Sequence, residues 1–151
     1  MRRYAALLLI VCLALSAAAG CSNAGASAQN RGAKAKEADV DLTELSGVMA
    51  YAQIVNILEK PDDYTGKTIK MTGQYRALYF DPTQLYYHFV VIGDEALCCQ
   101  AWVEFVWSGE HTYPDGYPDE QEEIEVAGVF GSYEELGLTY YYLAVDDIKI
   151  L

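Results

Sequence analysis

The sequence predicts a mainly β domain of the α+β class, a small five-stranded barrel preceded by one helix. Three observations lead there. One stretch with helical spacing comes first, then five segments read as strands. Glycines stand inside those strand segments, at places where a small sheet has to bend sharply to close.

Ser46 can cap a helix that begins at Gly47, and Val48, Tyr51, Ala52, Val55 and Leu58 then form an apolar stripe, with Ile54 and Leu58 also four apart. Pro61 ends the helix because it cannot continue the backbone hydrogen bonding. "PDDYTGKTIKMTGQY" reads as a turn at Gly66 followed by a first strand. Ile69, Met71, Gly73 and Tyr75 lie on one face and Lys70, Thr72, Gln74 and Arg76 on the other, and Asp81-Pro82 breaks it. "LYYHFVVIG" is the second strand and "ALCCQAWVEFVW" the third. "SGEHTYPDGYPDEQ" has two prolines and two glycines among acidic residues and reads as a loop. "EEIEVAGVFGSY" and "LTYYYLAVDDIKIL" are the fourth and fifth strands.

The run from the helix into Pro61, Tyr64, Gly66-Lys67, alternating β residues and Gly73 resembles the start of the first strand in bacterial OB-fold domains, many of them exported. "EIEVAGVF" is similar to their fourth strand. The cysteine pair at the third strand is similar to that of the OB-like extracytoplasmic domain of permease-associated membrane proteins, although this chain lacks their transmembrane helices. The resemblance spans about residues 47 to 151 and implies a binding fold without naming a ligand.

The first residues indicate export. Arg2 and Arg3 precede the apolar run "YAALLLIVCLALSAAA", and small residues lead to Cys21. A basic start, a short apolar stretch and small residues before a cut site form a secretory signal. "AAGC" resembles the lipobox of bacterial lipoproteins, with Ala18 where leucine is commonest. The resemblance implies a diacylated Cys21 as the first mature residue. Two acyl chains give the two-signal anchoring that one chain cannot. The expected organisation is therefore a signal peptide over 1–20, a lipidated N-terminus and flexible linker over 21–42, and the barrel domain over 43–151.

The chain has 10 Lys and Arg against 22 Asp and Glu. Without Arg2 and Arg3 the basic count falls to 8, so the mature net charge is 8 minus 22, or −14. Such a surface repels polyphosphate and anionic headgroups, so nucleic acid is not an expected partner and the domain is held off the membrane it is tethered to. Cys12 leaves with the signal and Cys21 takes lipid, so Cys98 and Cys99 form no disulfide framework.

In a pleated strand Cys99 would join the inward set with Leu97, Ala101, Val103, Phe105 and Trp107, and Cys98 the mixed face. The simplest reading is one buried and one partly exposed small residue. A metal site at Cys98, with Cys99 and with His88 from the neighbouring strand as further ligands, would favour zinc or copper. A strained vicinal disulfide or thiol redox role is the remaining possibility, because exported thiols tend to oxidise.

Thirteen tyrosines suggest a stacking surface for a sugar or peptide, with Arg76, Tyr87, Trp102 and Tyr141 as its candidates; the plainer reading is that they cover a small barrel. The acidic loop holding Glu110, His111, Asp115, Asp119, Glu120, Glu122 and Glu123 has ligands of the kind calcium takes, but not the spacing of an EF-hand. No nucleophile elbow, H-E-x-x-H, phosphate loop or dinucleotide fingerprint is present, so no enzyme is expected, and no cofactor beyond the zinc or copper candidate. The expected function is a lipid-anchored extracytoplasmic binding or interaction module. The alternatives are a metal-handling or thiol-redox accessory beside a transporter, and a subunit that docks an envelope protein.

Overall fold

The computed structural model describes residues 37–93 and 99–151. The signal, Cys21 and most of the expected linker lie outside these residues, as does Cys98. Among the described residues no helix is long and apolar enough to cross a membrane.

Pairing begins earlier than residue 43. Val40–Asp41 (β1) runs parallel to Ile69 and Lys70, and Leu42 behind it is buried. The helix α1 spans Gly47–Glu59, and a 3-10 turn at Pro61–Asp63 follows. The five predicted strands are β2 (Thr68–Phe80), β3 (Leu85–Gly93), β4 (Gln100–Trp107), β5 (Glu123–Glu135) and β6 (Leu138–Ile150).

They form one six-stranded sheet in the order β1-β2-β3-β4-β6-β5, and β2 also pairs with β5. That last pairing closes the five long strands into a ring. β4 and β6 run parallel, and the other ring pairs are antiparallel. The result is the small OB-like barrel preceded by one helix that the sequence predicts.

Closure turns on β2, which serves two neighbours. Thr68 to Gln74 pair with β5, and Gln74 to Phe80 pair with β3. Gly73 sits at the changeover, where a Cβ would lie 2.6 Å from the carbonyl oxygen of Val91. Only glycine allows the two backbones to pass this closely. Gly128 plays a similar part on β5, beside a register shift against β6, where a Cβ would meet the Ala144 oxygen at 2.7 Å.

The inward set follows the period of two: Ile69, Met71 and Tyr75 on β2, Val90 and Ile92 on β3, Ala101, Val103 and Phe105 on β4, with Ile124, Val126, Phe130, Leu143 and Val145 from the last two strands. Tyr75 is wholly buried.

The structure corrects the helical stripe. Ala50, Ile54 and Ile57 face the core, Tyr51 and Leu58 flank them, and Val48 is 53% exposed. The helix is apolar around most of its circumference, so sequence spacing alone fits more than one face. Ser46 holds the N-cap position, but its side chain makes no capping hydrogen bond.

Candidate functional site

The register assigns each sequence candidate to a face. On β3, His88, Val90 and Ile92 point inward, so Tyr87 and Phe89 point out. Opposite them on β4, Glu104 pairs with Phe89 and Trp102 with Val91. On β6, Tyr141 is on the inward side and stacks on Phe130 at 5.7 Å, packed against the core. Tyr141 therefore leaves the expected stacking surface, because Leu143 and Val145 fix the parity of its strand. Its neighbours Tyr140 and Tyr142 take the outer side.

Tyr87 is the one sequence candidate at the centre of a groove. Its hydroxyl donates to Glu135 Oε2 at 2.7 Å and lies 3.0 Å from Thr83 Oγ1. This ties the β2–β3 loop to the end of β5. Trp102 is 45% exposed and packs edge-on against Phe89 at 5.6 Å, further along the same face. Arg76 also points outward, but it pairs with Glu120 of the long loop at 3.6 Å, while Glu120 Oε1 accepts from the Ala77 amide at 2.8 Å.

The groove itself has two lobes. Leu78, Phe80, Tyr87, Phe89, Tyr133, Glu135 and Tyr140 line a space of about 180 Å³. Leu85, Tyr87, Glu104, Val106, Tyr133, Glu135 and Tyr142 line an adjoining space of about 350 Å³. Tyr133 is stacked on Tyr140 at 5.6 Å and meets Tyr142 edge-on at 5.8 Å. Leu78, Leu85 and Val106, about half exposed, give the groove apolar borders.

One polar group stands out there. Glu104 is only 8% exposed, and it is the buried charged residue of the described chain. The Tyr133 hydroxyl donates to it, lying 2.9 Å from Oε2 and 3.2 Å from Oε1. Burial pushes the Glu104 carboxyl above the usual carboxylate range, the Tyr133 hydrogen bond opposes this, and Glu135 adds a like charge. Burial likewise pushes the Tyr133 hydroxyl up, with Glu104 contributing. Sequence reasoning missed Glu104, Tyr133 and Tyr140. A lone glutamate in the apolar run "WVEFVW" was the available signal, and the other two depend on cross-strand register.

Cys99 looks different in the fold from the sequence expectation. β4 begins at Gln100, so Cys99 precedes the strand and is exposed instead of entering the core. His88 pairs with Phe105, six residues beyond Cys99, which is roughly 20 Å of strand. These two residues therefore do not meet at one metal. Among the described residues no group of three or more His, Cys, Asp or Glu side chains is placed to hold a metal ion.

His88 has another task. Its Nδ1 shares a 2.7 Å hydrogen bond with the Tyr75 hydroxyl, and its ring stacks on Tyr117 at 3.8 Å. Burial lowers its pKa to about 4, which keeps the ring neutral near pH 7. His111, in the acidic loop, stacks on Trp107 at 3.7 Å.

Compared with known proteins, the chain matches no protein-family model and no curated protein sequence.

Proposed function

We propose that this chain is a lipid-anchored, extracytoplasmic binding module whose ligand lies in the outer-face groove between the β2–β3 loop and the β5–β6 hairpin. The anchor rests on the signal-like start and Cys21. The binding reading rests above all on one observation: an aromatic groove on the outer face of β3 and β4, with a nearly buried carboxylate in its wall. In OB-type barrels this face and the two loops beside it are where ligands are held. Stacking on tyrosine rings and a few fixed polar groups are what such a site offers.

The test uses the processed chain purified from its own host. Intact mass should fit a diacylated polypeptide beginning at Cys21, and a mass fitting an unacylated chain from Met1 would overturn the anchor. Protein-observed NMR with a small-molecule extract of the host envelope should shift the signals of Tyr87, Tyr133 and Tyr140. Their staying unmoved would overturn the binding role.

A further inference from the structure

We propose that the groove takes a small organic cation, an ammonium carried on an apolar body, seated among the tyrosine rings and facing Glu104 and Glu135. This rests on the reading of the groove as a ligand site and adds the ligand's chemistry.

The case begins with an uncompensated charge. Taking a carboxylate out of water is costly unless a cation or several hydrogen bonds replace the water. Glu104 is 8% exposed, yet among the described residues no basic side chain comes within 4.0 Å of it. The Tyr133 hydroxyl has one proton to share between two carboxylate oxygens that can accept about four bonds. Acceptor capacity is therefore left over on the groove side.

Glu135 doubles the demand. It lines both lobes, with the Tyr87 hydroxyl as its hydrogen-bond donor, and it raises the cost of charge on Glu104. The ion-paired cations of the described chain are engaged elsewhere: Lys70 with Asp41 and Glu125, Lys149 with Glu125, and Arg76 with Glu120. Among the described residues the groove has two carboxylates and no positive charge.

The rest of the lining selects among the ligands that could supply it. Tyrosine ring faces carry the negative side of the aromatic quadrupole and attract cations over them. A neutral sugar would stack but leave Glu104 uncompensated, and an anion would meet like charge. A bare metal ion would find only two carboxylates there, with Leu85, Val106 and tyrosine rings where it needs the rest of its oxygen ligands. An alkylated ammonium satisfies the rings, the carboxylates and the apolar walls together. The lobe that Glu104 and Glu135 both line, at about 350 Å³, suits a small molecule.

Calorimetric titration of the processed chain in a non-ionic maltoside detergent tests this, with choline chloride as probe and 3,3-dimethylbutan-1-ol as its uncharged isostere. Choline should bind saturably and at least tenfold more tightly than the alcohol. Glu104→Gln should weaken choline at least tenfold and leave the alcohol unchanged. A thermal midpoint of the unmodified chain raised by choline chloride, but not by sodium chloride at equal ionic strength, keeps the test independent of whether that variant folds. Equal binding of choline and the alcohol would overturn the cation while leaving the groove a ligand site. Binding of a lysine-containing peptide without choline would overturn it in favour of a protein partner. If an envelope compound shifts the groove and choline does not bind, the cation alone fails; if neither acts, the ligand site fails with it.

Discussion

Gly73 is a place where the barrel has no room for one added methyl group. It marks the point at which β2 passes from β5 to β3, and a Cβ there would lie 2.6 Å from the Val91 oxygen and 2.8 Å from Val90 Cγ1. An ordinary contact needs about 3.4 Å, so β2 and β3 would have to part by roughly 0.8 Å. The obstructing atom is backbone, and β3 is held on its other side by β4 through Val91 and Trp102. Overpacking of this kind costs about 1–3 kcal/mol, and a rigid neighbour places it near 3. Alanine returns about 0.4–1 kcal/mol by restricting the unfolded chain. The net expectation for Gly73→Ala is about 2 kcal/mol of lost stability, or about 8–15 °C in thermal midpoint for a domain of this size. Urea unfolding followed by circular dichroism measures it. Gly137→Ala, in open space but at φ 80°, is the control and should cost about 1 kcal/mol from backbone strain alone. A Gly73→Ala midpoint within about 0.5 kcal/mol of the unmodified chain would refute the close-approach argument.

Three further expectations follow from the same structure. His88 titrates near pH 4 in the fold against 6.5 unfolded, so its contribution is present above about pH 6.5 and fades as the pH falls towards 4; after screening by the water that reaches the ring it amounts to about 1–2 kcal/mol, read as a smaller loss of urea midpoint between pH 7 and 4.5 in His88→Gln. Ile54→Ala, on the buried face of α1, should cost about 2–4 kcal/mol, whereas Val48→Ala on the exposed face should stay within about 0.5 kcal/mol in the same assay. Leu136 and Gly137 both have positive φ in the two-residue β5–β6 turn, so Leu136→Asn should raise the thermal midpoint by an amount corresponding to about 0.5–1 kcal/mol.

The strands were legible because their signal is local. Ile69, Met71 and Tyr75 alternate with Lys70, Thr72 and Arg76, and a single inward face is all that β2 requires. The second strand, Leu85–Gly93, carries its own turn signals at both ends. The helix face was not legible, since Val48, Met49 and Val55 are as apolar as Ile54 and Ile57 and only the barrel decides which side is buried. β1 escaped notice because two residues, Val40–Asp41, have no period to read. Cys99 was misplaced when β4 was expected to begin before Gln100; one bend ahead of the strand removes it from the alternation. The groove was the least legible part. Tyr87 could be named, but its meeting with Tyr133, Glu135 and Tyr140 joins residues some fifty positions apart, through a register that spacing within one strand does not encode.

Strand length explains why the groove lies outside the barrel. The interior is filled, with Tyr75 and Phe105 at its centre and no buried side-chain polar atom of the described residues lacking a partner. One end of β3 lies against the start of α1, where Gly47 approaches the Gly93 oxygen, and near the other end Tyr117 stacks on His88. A ligand inside the packed core would have to displace core side chains. β2, β5 and β6, however, are each 13 residues long, and β4 is 8. Strands of 13 residues are about twice the usual length, and at roughly 3.3 Å per residue they run well past what closing the ring requires. The surplus is where the groove stands: Leu78 and Phe80 end β2, Tyr133 and Glu135 end β5, and Tyr140 lies near the start of β6. Burying Glu104 under these ends adds nothing to closing the ring and carries a desolvation cost that a leucine at the same place would not. A groove built for stability alone would omit that carboxylate; a groove built to hold a positive charge needs it.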